Sequence, residues 1–298
     1  MSAELGWRQF VLTTEKGWQV AGGRFRPDGA AHGVAHLTNY TVDYRIYGEG
    51  EPIVLVPGLA GGMGLLGPLA RELSAHHRVI CYELRGEDNC FAIRRPFAFD
   101  DLVLDLREFL DTLALETPTL LGVSFGGAIA LEFAARYPGR LGKLIVQGAG
   151  CRFLPGLLQQ IANTVLNRFP LPFDNPFVNQ FFNLLFGRPE PNGPLLDFVT
   201  QQIWSTDQSM MAHRMRLIES FNMDDKLGNL RMPTLVVAGM KDVLVPKRSL
   251  RALCNGLPNA DLVRLPNAGH LAFVTHAEQL AGKVLEFLGT NVAAEAVA

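Results

Sequence analysis

Residues 120–131, LLGVSFGGAIAL, set Ser124 among Gly122, Gly126 and Gly127 where an apolar run gives way to a helical pattern. Glycine weakens both strands and helices, so three of them at one junction need a reason. In the spacing G-x-S-x-G, joining a strand to a helix, small neighbours let the backbone turn back on itself and lift the serine hydroxyl clear of the sheet. The chain has 30 glycines in 298 residues, and the pattern arises by chance in about seven of a hundred such chains. Its partners therefore decide the matter. A serine hydroxyl is a poor nucleophile until a base takes its proton, and the base needs a carboxylate to hold its tautomer. VVAGMKDVLVP puts Asp242 in the turn after one predicted strand, and RLPNAGHLAF puts His270 in the loop after the next.

Each of these residues also has a plainer reading. Ser124 could be an ordinary helix N-cap, and Asp242 could cap the helix expected after Pro246. Asp261 competes as the acid, but it stands at the start of a strand, the wrong end of the sheet. Among the other histidines, His76 and His77 end a helix, His32 and His36 precede the core, His213 lies in an insertion and His276 caps the last helix; all read as surface or capping residues.

The elements that must position these side chains alternate along the chain. A small hairpin is expected from 9–14 and 18–22, then a half-wet strand, YTVDYRIYG, at 40–48. Buried strands PIVLVPG (52–58), RVICYEL (78–84), PTLLGV (118–123), LGKLIVQGAG (141–150) and PTLVVAG (233–239) follow, with ADLVRLP at 260–266. Helices are expected at 66–77, at 99–115 with Asp100 as cap, from Ser124 to Tyr137, after Pro246 and at 276–288. That pattern predicts an α/β fold, a mostly parallel twisted sheet with helices on both faces. About eighty residues separate the strands near Gly150 and Thr234, far more than a crossover needs. Nine of the 19 phenylalanines fall there, with prolines that break the segment into short helices. The chain thus divides into a core, 1–150 and 227–298, and a helical cap or lid, 151–226, inserted after the sixth strand. The tail TNVAAEAVA reads as frayed.

Composition narrows the partners. A formal charge of −2 and a pI near 6.4 give no reason to expect nucleic acid or an anionic membrane. Cys81, Cys90, Cys151 and Cys254 form no C-x-x-C pair, which argues for reduced thiols without a disulfide framework or a metal site. The N-terminus lacks a secretory pattern and no apolar run reaches the length of a membrane span. The expectation is a cytoplasmic protein without integral membrane contact; oligomeric state stays open.

Ser124, Asp242 and His270, in that chain order and after strand ends, resemble the triad of the α/β-hydrolase fold family, serine-nucleophile branch, and the resemblance runs from about residue 40 to 288. It implies an esterase- or lipase-like member with a helical cap. VPGLAGG (56–62) stands where the family carries its oxyanion loop, with Pro57-Gly58 in place of the usual His-Gly. By that resemblance the N–H groups of Leu59 and Phe125 form the oxyanion hole, with Ala60 as the alternative donor. YELRGEDNC (82–90) departs from the D-x-R-G-x-G-x-S of relatives at Glu87-Asp88-Asn89-Cys90. Glu87 or Asp88 either contacts substrate or forms an acidic surface loop paired with Arg85 or Arg94.

An insertion after the sixth strand sits over the carboxyl edge of the sheet, where open α/β folds bind ligands. Phe169, Phe177, Phe181, Phe182 and Phe186 are assigned mostly to packing within it. Ala60, Cys151, Phe153, Met211 and Leu271, with Met210 and Met215, are candidates for an apolar wall. The expected reaction is hydrolysis of a small to medium apolar ester through an acyl-enzyme, with no cofactor and no metal. Carbon–carbon bond hydrolysis, lactone hydrolysis and perhydrolysis use the same triad, and a low-turnover ligand receptor is the alternative from another class.

Overall fold

The computed structural model describes residues 18–20, 23–25, 30–87, 96–168, 176–187 and 193–290. Residues 9–14, 88–90, Arg94, Phe169 and the tail 291–298 lie outside them, as do the side chains of Phe177 and Phe182. Two short strands, β1 (Trp18–Val20) and β2 (Gly23–Phe25), pair antiparallel.

An eight-stranded sheet carries the rest. Its strands are β3 (Ala31–His36), β4 (Thr41–Tyr47), β5 (Pro52–Val56), β6 (Arg78–Tyr82), β7 (Thr119–Val123), β8 (Lys143–Gln147), β9 (Thr234–Gly239) and β10 (Ala260–Leu265), in the spatial order β10-β9-β8-β7-β5-β6-β4-β3. β4 pairs antiparallel with both β3 and β6, and all remaining pairs are parallel. The runs PIVLV, TLLGV and TLVVAG are apolar almost throughout because each strand is covered on both faces. Alternate residues face opposite ways: Val54, Val56, Ile80 and Tyr82 pack under α2 (Phe99–Thr112) and α3 (Phe125–Arg136) with Phe109 and Phe133. Ile53, Leu55, Val79 and Cys81 pack with Leu66, Leu69 and Val284 of α1 (Gly62–Leu73) and the last helix, Ala277–Leu288.

Four helices, α4 (Leu157–Arg168), α5 (Pro176–Phe186), α6 (Pro194–Ile203) and α7 (Gln208–Glu219), lie between β8, sixth strand of the large sheet, and β9. After β9 come α8 (Lys247–Gly256), a short α9 (Ala272–Thr275) and α10 (Ala277–Leu288). Two local expectations are corrected. α1 starts four residues before the predicted helix, because Gly61 (φ 83°) turns the chain and the Glu83 carboxylate accepts the Met63 N–H at 3.1 Å. α2 is capped by Asp101, which accepts the Ala98 N–H at 2.7 Å, and Asp100 instead pairs with Arg136 across to α3.

Candidate active site

The glycines around Ser124 are required by contact. A Cβ on Gly122 would lie 2.4 Å from the Gly126 carbonyl oxygen, and one on Gly126 would lie 2.1 Å from the Val56 oxygen and 2.4 Å from the Pro57 oxygen. The helix start therefore presses against both its own strand and β5. Ser124 itself sits at φ 53°, ψ −117°, in the positive-φ region that side chains rarely adopt. Its hydroxyl makes no cap to α3, which removes the plain N-cap reading.

The hydroxyl meets the imidazole instead. Ser124 Oγ lies 2.8 Å from His270 Nε2, and His270 Nδ1 lies 2.9 Å from Asp242 Oδ2. The second Asp242 oxygen accepts the N–H groups of Leu244 at 2.7 Å and Val245 at 3.1 Å, so this carboxylate folds its own turn; it does not cap α8, whose N-cap is Pro246. Burial opposes the Asp242 charge, yet the imidazole and the two N–H groups outweigh it and hold the carboxyl below its ordinary range. Nδ1 thus faces a charged acceptor, the arrangement that leaves Nε2 free to accept a proton.

Backbone contacts fix the spacing between Ser124 and His270. The Ser124 N–H donates to the Gln147 carbonyl at 2.8 Å, while the Gln147 side-chain amide donates to the His270 carbonyl at 3.1 Å. Gly269 and Leu271, either side of His270, donate to the Phe186 and Leu185 carbonyls at the end of α5, each at 3.1 Å.

Leu59, Ala60 and Phe125 line a cavity of about 240 Å³ together with Ser124 and His270. Gly58 stands close enough that its Cβ would be 3.8 Å from that of Ser124, so the 57–61 loop flanks the hydroxyl. The insertion supplies much of the remaining wall, including Phe181, Leu185, Trp204 and Met211. Phe153, Met215 and Leu271 also line it. The polar side chains on the wall are largely spent on the protein. Ser249 Oγ donates to the Arg152 carbonyl, Gln159 bridges the Leu244 carbonyl and the Gly156 N–H, and Arg152 pairs with Asp224 at 2.9 Å.

Several expectations for the site are corrected here. Cys151 is fully buried outside the cavity, 3.9 Å from Ser249 Oγ, and burial pushes its thiol up to about 11. Met210 packs against Gly86, and His213 is a buried residue whose Nε2 bonds the Phe97 carbonyl at 2.8 Å. Glu87 is neither a surface residue nor a pocket residue: it is 9 % exposed and pairs with the fully buried Arg214, whereas Arg85 pairs with Asp105 at 2.7 Å. Arg214, Thr206 and Gln147 escape sequence reasoning. The one signal available was polarity out of place, a glutamine ending KLIVQ and an arginine within the methionine-rich MMAHRM. Among the described residues no cluster of acidic, cysteine and histidine side chains is arranged to hold a metal, and no helix is long and apolar enough to cross a membrane.

Comparison with known proteins agrees with this architecture. The chain is 27 % identical to a Variovorax paradoxus (strain S110) protein provisionally named carbamate hydrolase RutD, over 82 % of this chain and 95 % of that one. It is 25 % identical to a 2-hydroxy-6-oxononadienedioate/2-hydroxy-6-oxononatrienedioate hydrolase of Comamonas testosteroni (86 % and 93 % covered), and 29 % identical to a poly(3-hydroxyalkanoate) depolymerase of Ectopseudomonas oleovorans (80 % and 84 %). Among solved structures, the enol-lactonase of Burkholderia xenovorans LB400 superposes with a TM-score of 0.76 at 22 % identity, covering 86 % of this chain and all of that one, a likeness of fold. The sequence profile described as the alpha/beta hydrolase fold matches residues 51–277. With that match spanning most of the chain, the protein is a hydrolase belonging to the alpha/beta hydrolase fold family.

Proposed function

We propose that the protein hydrolyses carboxylic esters of small to medium apolar substrates through an acyl-enzyme on Ser124. The observation that carries this reading is the unbroken line of hydroxyl, imidazole and carboxylate, 2.8 and 2.9 Å apart, opening on a cavity whose polar wall groups are largely engaged. As Ser124 Oγ attacks the ester carbonyl, His270 Nε2 takes its proton. The N–H groups of Leu59 and Phe125 stabilise the oxyanion, helped by the positive end of α3. His270 then protonates the leaving alcohol, and water repeats the sequence on the acyl group while Asp242 stabilises the imidazolium. In this reading residues 151–226 form a cap over the core made by 1–150 and 227–298.

The relatives' names span several bonds, and the cavity helps choose among them. A dioate such as the Comamonas protein's named substrate carries two carboxylates, which call for cations. Arg152 is the cation on this wall, and it already pairs with Asp224. A neutral ester places no such demand, which favours ester cleavage over hydrolysis of an anionic carbon–carbon substrate. The test combines fluorophosphonate labelling with a p-nitrophenyl ester series of increasing acyl length. Label on the peptide bearing Ser124, turnover of the esters, and a loss of about 10⁴-fold or more in kcat for Ser124→Ala are expected. Binding without turnover in the wild-type chain would instead mark a receptor.

A further inference from the structure

The oxyanion loop reaches its position through the insertion. Between β5 and α1 the backbone of Pro57-Gly58-Leu59-Ala60-Gly61 has no ladder or helix to hold it, and its glycines leave it wide conformational freedom. Two polar side chains grip it, and a third holds the first turn of α1 just beyond. Arg214 Nη1 donates to the Leu59 carbonyl at 2.9 Å, Thr206 Oγ1 accepts the Gly61 N–H at 2.9 Å, and Glu83 accepts the Met63 N–H. The first two come from α7 and the link between α6 and α7, about 150 residues further along the chain. Glu87 joins them, one oxygen taking a hydrogen bond from Arg214 and the other from the Thr206 hydroxyl at 2.7 Å. Arg214 Nη2 also holds the Arg85 carbonyl at 2.8 Å. The result is a closed ring running from the Leu59 carbonyl through Arg214, Glu87 and Thr206 to the Gly61 N–H.

Stability alone is a poor reason for such a ring. A fully buried arginine–carboxylate pair gains little over well-packed apolar residues of the same size, because both charges are stripped of water. What the ring does that an apolar plug could not is grip a carbonyl and an N–H on either side of Ala60, and so fix the torsions of Ala60 and the plane of the Leu59–Ala60 peptide, which carries the Ala60 N–H and adjoins the Leu59 donor. An oxyanion donor acts only within a few tenths of an ångström of its proper place, and a misplacement of about 1 Å costs about a hundredfold in rate.

Resting on the ester-hydrolase reading, we propose that Thr206 and Arg214 are positioning residues for the oxyanion hole, so that the hole is complete only while the insertion is seated on the β5–α1 loop. The insertion thereby does more than wall the cavity. It sets transition-state stabilisation from behind, through residues that touch neither substrate nor Ser124.

The test uses the full chain and variants at Thr206, where Val keeps the shape but loses the hydroxyl and Ser restores it. For p-nitrophenyl butyrate, Thr206→Val is expected to lower kcat about tenfold with KM within about twofold, and to weaken a trifluoromethyl ketone, whose adduct carries the oxyanion, by the same tenfold. Thr206→Ser should recover wild-type values within about twofold. Thermal unfolding and stoichiometric fluorophosphonate labelling confirm that each variant is folded. A Thr206→Val protein with wild-type kcat and ketone affinity, whatever its Tm, overturns the proposal and reduces the ring to a packing device. A wild-type chain without Ser124-dependent turnover overturns the ester reading, and the positioning role with it; this is a separate result, seen before any Thr206 variant is made.

Discussion

Two stretches of backbone flank the Ser124 hydroxyl, and they are held by opposite means. The turn between β7 and α3 is fixed by what is missing, since Gly122 and Gly126 bring main chain onto main chain where a single Cβ would collide, and Gly127 leaves room for the Ala149 side chain. The loop between β5 and α1 is fixed by what is added, through Arg214 and Thr206 reaching its carbonyl and N–H groups from elsewhere while Glu83 holds the first turn of α1. Asp242 belongs with the second kind, since one of its oxygens grips the Leu244 and Val245 N–H groups while the other meets His270. Steric fixing is stiff and local in sequence. Polar fixing spans the chain, and it ties those segments to groups whose charge depends on pH.

Asp242→Asn tests the polar kind with the largest effect. The carboxamide keeps an oxygen for the turn but cannot offer both its backbone contacts and a charged acceptor for Nδ1. The fold should survive with a Tm close to wild type while kcat drops about 10⁴-fold; a loss below tenfold would show that the carboxylate serves the turn alone. Gly126→Ala tests the steric kind. With its Cβ 2.1 Å from the Val56 oxygen, two buried segments of main chain must separate, and denaturant unfolding should report a loss of about 3 kcal/mol. A cost under about 1 kcal/mol would mean that the junction yields easily, and the contrast with the β5–α1 loop would collapse.

The smallest effect concerns pH. Glu83 is half-buried, and the withdrawal of its carboxyl from water, reinforced by the charge of Glu87, pushes that carboxyl from 4.5 up to about 8. The folded chain then holds this proton more tightly than the unfolded one. Glu83 therefore favours folding at acid pH and costs stability as pH rises from about 4.5 to about 8. Asp242 has the opposite sign: its carboxyl is lowered, so its contribution is present above the ordinary carboxylate range and lost as pH falls through its folded value. Melting curves across pH should show Glu83→Gln flattening the decline on the neutral side and leaving the acid limb in place. An unchanged neutral slope would remove Glu83 from this account.

That division also explains what could be read from the sequence. Gly122, Ser124 and Gly126 are neighbours along the chain, so their spacing carried the turn, and the apolar runs of β5 and β7 to β9 announced a sheet covered on both sides. Asp242 and His270 could be placed because each follows a strand end. Glu87 was misread because its partner lies 127 residues away, in a helix whose sequence gives no sign of which face turns inward. Cys151 was misplaced for a related reason: strand pattern shows that a residue leaves the sheet near the site, but not on which side of the wall its sulfur comes to rest. Interactions satisfied nearby in sequence leave a local pattern; those satisfied across the fold leave only an odd residue in an apolar run.

Gln147 is one such residue. Through its carbonyl it holds the serine's main chain, and through its amide it holds the main chain of the histidine. Both contacts leave from one residue at the end of the sixth strand, so the main chains that carry the hydroxyl and the imidazole share a single mount.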